Sequence, residues 1–263
     1  VESFDCWIVG KNRNDYSTLF KQWHARDLRA MVRRDRNHPS VIMWSVGNEV
    51  REQGWDFQLG AAMRDIAREE DPTRPVTIGC DFPGAGTNGF QKGFDVFGYN
   101  YKPGLYAKFH ANNPDIPIYG SETASCVSSR GEYFFPVTND KGGGKENAQV
   151  SSYDLYAPPW ASAPDYEFGF QDEHADFVLG EFVWTGFDYL GEPTPYNFDP
   201  TLLLNAKNDP AKLAEIEKEL KKLNDGEPPM SRSSYFGIFD LCGFRKDRFY
   251  LYQARWRPDL PMA

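Results

Sequence analysis

Arg34-Asp35-Arg36-Asn37-His38-Pro39-Ser40-Val41-Ile42-Met43-Trp44-Ser45-Val46-Gly47-Asn48-Glu49 packs a turn, a strand and an ionisable end into one short stretch. Asn37 to Ser40 are turn formers, and Pro39 cannot continue a helix. Val41 to Val46 is short, β-branched and apolar without polar alternation, which suits a strand buried on both faces. Strands of that kind belong to parallel sheets covered by helices. Upstream, Leu19, Phe20, Trp23, Leu28, Met31 and Val32 recur at helical spacing, predicting a helix from about Tyr16 to Arg34 with Asp15 as its N-cap. Downstream, a second helix from about Trp55 to Glu70 stops before Asp71-Pro72. Further strands are expected at Pro75–Gly79, Val96–Tyr101, Ile116–Gly120 and Phe177–Phe187. Strands alternating with helices make βαβ units.

The 263 residues would suffice for one (β/α)₈ barrel, which needs about 250. Only five core strands are legible, starting near residues 41, 75, 96, 116 and 177, plus a stub at Val1–Phe4. The expected fold class is therefore α/β, a TIM barrel present as a partial barrel of five strands and the stub. A long loop over about 128–164, including Lys141-Gly142-Gly143-Gly144-Lys145, breaks the rhythm. So does a charged helical insertion within about 199–230. The chain reads as if it begins in the middle of something larger.

Composition narrows the function classes. Hydrophobic residues make up 40% and aromatic residues 16%, which excludes disorder. Lys and Arg number 29 against 38 Asp and Glu, a net charge of −9. An acidic chain without a basic stripe is not a nucleic-acid binder, and no apolar run is long enough to span a membrane. Cys6, Cys80, Cys126 and Cys242 have no metal or redox spacing and read as buried thiols outside any disulfide. Val1 to Trp7 carries no signal-peptide pattern, and the compartment is left open.

Two glutamates stand where barrel enzymes keep their chemistry, at the C-terminal ends of strands. Glu49 follows Gly47-Asn48, and Glu122 follows Gly120-Ser121. Two carboxyls on one rim suit glycoside hydrolysis, which needs an acid and a base or nucleophile flanking one bond. Each could instead be an ordinary strand-end glutamate that forms a salt bridge or accepts loop amides. His38, at the opposite end of its strand, reads as structural.

The stretch from Arg34 to Glu49 resembles the acid/base signature of glycoside hydrolase family 2, which includes β-galactosidases, β-glucuronidases and β-mannosidases. Pro117-Ile118-Tyr119-Gly120-Ser121-Glu122-Thr123-Ala124-Ser125 resembles its nucleophile segment. Residues 180–193, Gly-Glu-Phe-Val-Trp-Thr-Gly-Phe-Asp-Tyr-Leu-Gly-Glu-Pro, resemble the last barrel strand of the β-galactosidase-like branch. The resemblance implies a retaining exo-glycosidase with Glu49 as general acid/base and Glu122 as nucleophile, their carboxyl groups about 5–5.5 Å apart. The charge on Glu122 would raise the pKa of Glu49 so that it can protonate the leaving oxygen. Asn48 would bind the sugar 2-hydroxyl, Tyr101 would orient the nucleophile, and Trp184 would form the floor of the sugar site. Trp160 is either a further platform or a packing aromatic.

Some relatives bind Mg²⁺ through a Glu-x-His at the end of the third strand. Glu2-Ser3-Phe4-Asp5 lacks that histidine, so no metal and no cofactor are expected. Ser233 to Asp240 lacks the Asn-x-Lys pair by which β-glucuronidases bind the sugar carboxylate. A neutral sugar is favoured, a β-D-galactoside first, while Arg130 and Lys246 leave an anionic galactan unit open. The partners implied are a carbohydrate substrate and the remaining domains of the same enzyme, including the first barrel strands and the arginine they carry; an oligomer is left open. By this resemblance the chain holds about strands 4–8 and the end of strand 3, the C-terminal part of the catalytic domain; alone, it would expose an open sheet edge and aggregate or stay inactive. Other readings stay open: a β-glucuronidase or β-mannosidase of the same family, a non-catalytic carbohydrate-binding barrel, which would split the glutamate pair, and a metal-dependent hydrolase built on His38, Asp35 and nearby carboxylates.

Overall fold

The computed structural model describes residues 1–137, 145–146, 149–153, 155–158, 160–190, 209–223 and 233–260. They pack as two compact units, Val1–Glu122 with Phe168–Phe182, and Thr123–Glu167 with Val183–Ala263. Each unit has its own core.

In the first unit the elements run α1 (Ser17–Asp35), β1 (Trp44–Asn48), α2 (Phe57–Glu70), β2 (Val76–Cys80), β3 (Phe97–Asn100), α3 (Tyr106–Asn112) and β4 (Ile118–Ala124). β4 passes into the second unit at Thr123. Within the long loop a short antiparallel pair forms, β5 (Lys145–Glu146) and β6 (Gln149–Val150). Helix α4 (Pro164–Glu173) then returns the chain to the first unit and β7 (Val178–Trp184). The sheet order is β1-β2-β3-β4-β7, with parallel register between β1 and β2, β2 and β3, and β3 and β4. Among the described residues these five strands do not close. A partial barrel is what the alternation of elements predicted.

Burial explains the sheet. Every residue of β2 and of β3 is buried, and Trp44, Val46, Ile78, Phe97 and Ile118 share one core with Leu28 of α1 and Met63 of α2. Phe97 stacks on Phe109 of α3 at 4.9 Å between centroids. The strand stub also forms: Ser3 donates to Ser45 O, Ser45 to Val1 O and Asn48 to Phe4 O, so residues 1–4 run along the free side of β1.

The boundaries shifted for local reasons. β1 starts at Trp44 rather than Val41, because the carbonyls of His38 and Val41 are taken by the Arg74 guanidinium instead of a strand. Ile42 is 63% exposed, so the run is not buried throughout. α2 begins at Phe57, where the Asp56 carboxylate accepts from Leu59 N at 3.0 Å; residues 51–54 form a separate 3₁₀ turn. Asp15 does cap α1, accepting from Ser17 N at 3.0 Å, though Tyr16 intervenes. β4 runs four residues past its expected end, which places Glu122 within the strand.

The second unit holds the long loop, which is not structureless. Val127, Val150, Tyr156, Tyr235 and Phe236 form its core. Residues 236–239 were not expected as a strand, yet they hydrogen-bond in parallel beside 185–188: Ile238 donates to Thr185 O, Phe239 to Gly186 O and Asp188 to Phe239 O. A buried ion pair, Lys246 Nζ to Asp188 Oδ2 at 2.6 Å, ties this segment to α6 (Asp247–Trp256), which follows α5 (Pro210–Leu223). α5 is the charged helix expected in the insertion. The remainder of that insertion, residues 199–208 and 224–230, lies outside the described residues, as do Lys141 to Gly144 and 191–193. Of the four cysteines, Cys6, Cys80 and Cys126 are buried, Cys242 is exposed, and none is in a disulfide.

Gly98 of β3 sits where a Cβ would lie 2.6 Å from Ser121 Cβ and 2.7 Å from Ile78 O. Backbone cannot yield as a side chain can. Gly98→Ala is expected to destabilise by about 1–3 kcal/mol, read as a lower Tm in calorimetry.

Candidate active site

The site residues lie at the ends of β1 and β3 and in the C-terminal half of β4. Two register shifts place them. The β1–β2 ladder slips between Ser45 and Asn48, so Asn48 pairs with Gly79, and the β3–β4 ladder slips between Tyr99 and Asn100, so Asn100 pairs with Glu122. Such irregularities re-aim side chains at a rim. The next residue in each chain turns sharply: Glu49 has φ 46° and Tyr101 has φ 56°, in the left-handed region. Each such non-glycine residue costs of order 1–3 kcal/mol. Backbone hydrogen bonds hold both turns, from Glu49 N to Gly79 O at 2.8 Å and from Tyr101 N to Glu122 O at 2.9 Å.

Four of the five residues singled out in the sequence, Asn48, Glu49, Tyr101 and Glu122, are thereby joined in one hydrogen-bonded network. The Tyr101 hydroxyl donates to Glu122 Oε2 at 2.7 Å. Asn48 also hydrogen-bonds the Glu122 side chain. The centre is a residue the sequence reading passed over. Asn100, fully buried, donates from Nδ2 to Asn48 Oδ1 at 2.9 Å and to Glu49 Oε1 at 2.8 Å, and its Oδ1 accepts from Ser121 Oγ at 2.6 Å. A clue existed: asparagine is depleted in strands, and Phe97-Gly98-Tyr99-Asn100 reads as one. Gly79 makes room, since a Cβ there would lie 2.9 Å from Asn48 Oδ1 and 3.1 Å from Asn100 Oδ1.

Burial pushes the Glu122 carboxyl up to about 8. The Tyr101 hydroxyl pulls the other way, while the charges of Glu49 and Glu2 add to the rise. Burial also raises Glu49, against the Asn100 hydrogen bond; Asp81 and Asp5 push it up and Lys11 pulls it down. The two glutamates repel each other, and that repulsion adds to the effect of burial. Both carboxyls are raised, and burial leads in each case.

Trp184 belongs to the second unit, where it meets Tyr189 edge-on at 5.9 Å. Trp160, also there, is 53% exposed and tilted over Phe236 at 6.4 Å between centroids. The two cations considered for an acidic sugar are engaged within the protein: Lys246 with Asp188, and Arg130 with Asp240 at 2.6 Å. Both oxygens of Asp35 take the Arg34 guanidinium, so the arrangement proposed around His38 is not assembled. Among the described residues no three His, Cys, Asp or Glu side chains converge as a metal site, and no helix is long and apolar enough to cross a membrane.

Carboxyls near the ends of parallel strands, linked through amides and a tyrosine hydroxyl, are an arrangement that suits the chemistry of barrel-type glycoside hydrolases. Residues 9–224 match the family model described as glycosyl hydrolases family 2, TIM barrel domain. The chain is 36% identical to beta-galactosidase BoGH2A of Bacteroides ovatus over 97% of its length, and 25% identical to the beta-glucuronidase of Felis catus over 68%. A solved family 2 glycosyl hydrolase from Bacteroides cellulosilyticus superposes with a TM-score of 0.62 at 28% identity, over 96% of this chain. The chain belongs to glycosyl hydrolase family 2. It spans 31%, 28% and 25% of the length of these three proteins, respectively.

The raised Glu122 has a consequence for stability. Its folded pKa, about 8, lies above the ordinary 4.5, so the protonated form favours folding. That contribution is complete below about pH 4.5 and is lost as the pH rises through about 8. Glu122→Gln, neutral at every pH, should therefore melt a few degrees above the parent at pH 9 and level with it near pH 5. Parallel Tm curves across that range would contradict the assignment.

Proposed function

We propose that this chain is the catalytic portion of a retaining exo-β-glycosidase that removes a terminal neutral sugar, a β-D-galactoside, by double displacement. The observation that carries the proposal is the single network joining Glu49, Asn48, Asn100, Tyr101 and Glu122 at the strand ends. In the first step a Glu122 carboxylate oxygen attacks the anomeric carbon, the glycosidic bond breaks, and the proton of Glu49 passes to the leaving oxygen. In the second, Glu49 takes a proton from water, whose oxygen attacks the anomeric carbon and releases Glu122 from its ester. The reactive form has its proton on Glu49 and its charge on Glu122. Tyr101 and Asn48, both hydrogen-bonded to Glu122, favour that distribution. Asn48 would also meet the sugar 2-hydroxyl, and Trp184 would supply a flat face for the pyranose.

A neutral sugar is supported by three features. Arg130 and Lys246 are engaged internally. Ser233 to Asp240 holds no Asn-x-Lys pair. The relative at 36% identity is called a beta-galactosidase. The chain is one part of a TIM-barrel catalytic domain, with its long loop at about 128–164 and its helical insertion at about 199–230. Further residues of the larger enzyme, among them the first barrel strands, would complete it.

In the full-length enzyme, a 2-deoxy-2-fluoro-β-galactoside should label Glu122, as read by peptide mass spectrometry; label on another residue, or none, overturns the nucleophile assignment. Among aryl glycosides the galactoside should turn over fastest, and a faster glucuronide would reverse the sugar assignment. Glu49→Gln should lower kcat by about 10²–10⁴-fold on poor leaving groups, and by less on activated aryl glycosides.

A further inference from the structure

The peptide bond between Asn48 and Glu49 is held from both sides. Its N–H, on Glu49, donates to Gly79 O at 2.8 Å, and its carbonyl, on Asn48, accepts from Lys11 Nζ at 3.0 Å. The preceding N–H, on Asn48, donates to Phe4 O at 2.8 Å. Lys11 is not a loose surface lysine. Its side chain is 16% exposed and its ammonium also pairs with Asp5 Oδ1 at 2.7 Å, while Asp5 is 67% exposed. Its own backbone N–H donates to Asp15 Oδ2 at 2.7 Å, the carboxylate that caps α1. The segment is anchored on its other side by the fully buried Trp7, whose indole N–H donates to Val46 O at 2.9 Å.

We propose that Lys11 is a positioning residue for the glycosidase reaction, clamping the peptide that joins Asn48 to Glu49 and setting a cation on its carbonyl. The inference rests on the catalytic reading given above. Glu49 occupies the left-handed region at φ 46°, so its peptide has a lower-energy alternative in which the plane turns over. Turning it would draw the Glu49 N–H off Gly79 O and move the carboxyl and the Asn48 amide together. An ammonium on the carbonyl opposes that turn more strongly than a neutral donor, because charge-assisted hydrogen bonds are about twice as strong. The same cation acts on the charge of Glu49, which faces Asp5 beside it, Asp81 beyond β2, Asn100 of β3 and, through their mutual repulsion, Glu122 of β4. Lys11 is the cation in that set, and it favours the ionised form of Glu49.

The test uses the full-length enzyme and aryl galactosides across pH, with Lys11→Met, Lys11→Arg and Asp5→Asn. Misplacing reacting groups by about 1 Å costs about 100-fold, so Lys11→Met should lower kcat by about 10- to 100-fold. Without the cation Glu49 holds its proton to higher pH, and the basic limb of kcat/KM should move up. Asp5→Asn removes an anion and should move that limb down, while Lys11→Arg should restore both the limb and most of kcat. In the crystal structure of Lys11→Met the Asn48 carbonyl should turn and the bond from Glu49 N to Gly79 O should open. An unmoved limb with parental kcat in Lys11→Met, or no restoration by arginine, overturns the proposal. If Lys11→Met does not fold, an unmoved limb in Asp5→Asn does the same. A parent inert on every glycoside would sink the catalytic reading instead; the clamp is then decided by the Lys11→Met crystal structure, where an unturned carbonyl refutes it.

Discussion

The carboxamide of Asn100 faces three partners at once, and its orientation follows from them. Its two N–H groups point to an amide oxygen and a carboxylate, and its oxygen meets a hydroxyl. Flipping it would set a carbonyl oxygen against the Glu49 carboxylate, a repulsive pairing in a buried place. Its direction then propagates. Because Asn48 Oδ1 accepts from Asn100, the Asn48 N–H groups are the ones left to serve Glu122. One buried amide thus orders hydrogen bonds from the Ser121 hydroxyl across to the second carboxyl.

That amide depends on the sheet. Parallel strands carry evenly spaced ladders, and a regular register would not set Asn100 opposite Glu122; the slip after Tyr99 does. Glycines admit the close approach: Gly79 beneath the Asn48 and Asn100 amides, and Gly98 beneath Ser121. The left-handed turns at Glu49 and Tyr101 then lift their side chains off the strands, each turn secured by a backbone hydrogen bond to the neighbouring strand. Strain at these two residues is held by bonds that belong to the ladder itself.

The second unit answers its buried charge by another route. Lys246 meets Asp188 and donates to the carbonyls of Ser128 and Tyr235, while Arg248 donates to those of Phe236 and Gly237. Two cations inside a protein are costly unless paired and hydrogen-bonded, and here they bind carbonyls of loop and extended segments. From sequence alone Lys246 looked available to an anionic sugar. Only its surroundings show it as part of the scaffold, because burial is a property of the fold and not of the residue type.

The hydrophobic and turn patterns alone were enough to place α1, α2, the charged helix α5 and the five sheet strands, to identify an unclosed α/β sheet, and to mark Glu49 and Glu122 as carboxyls near strand ends, while α3, α4 and α6 were not expected. Those conclusions follow from local physics: apolar spacing, proline and glycine punctuation, and the chemistry that two carboxyls permit. The register slips, the hub at Asn100 and the clamp at Lys11 were not legible. Each joins residues tens of positions apart, such as Lys11 with Asn48 or Asn100 with Glu49, and no local pattern encodes such a meeting. The pKa values belong to the same class. A glutamate acquires its proton affinity from the burial and partners that the folded chain puts around it, and here those raise both carboxyls where the sequence suggested only one.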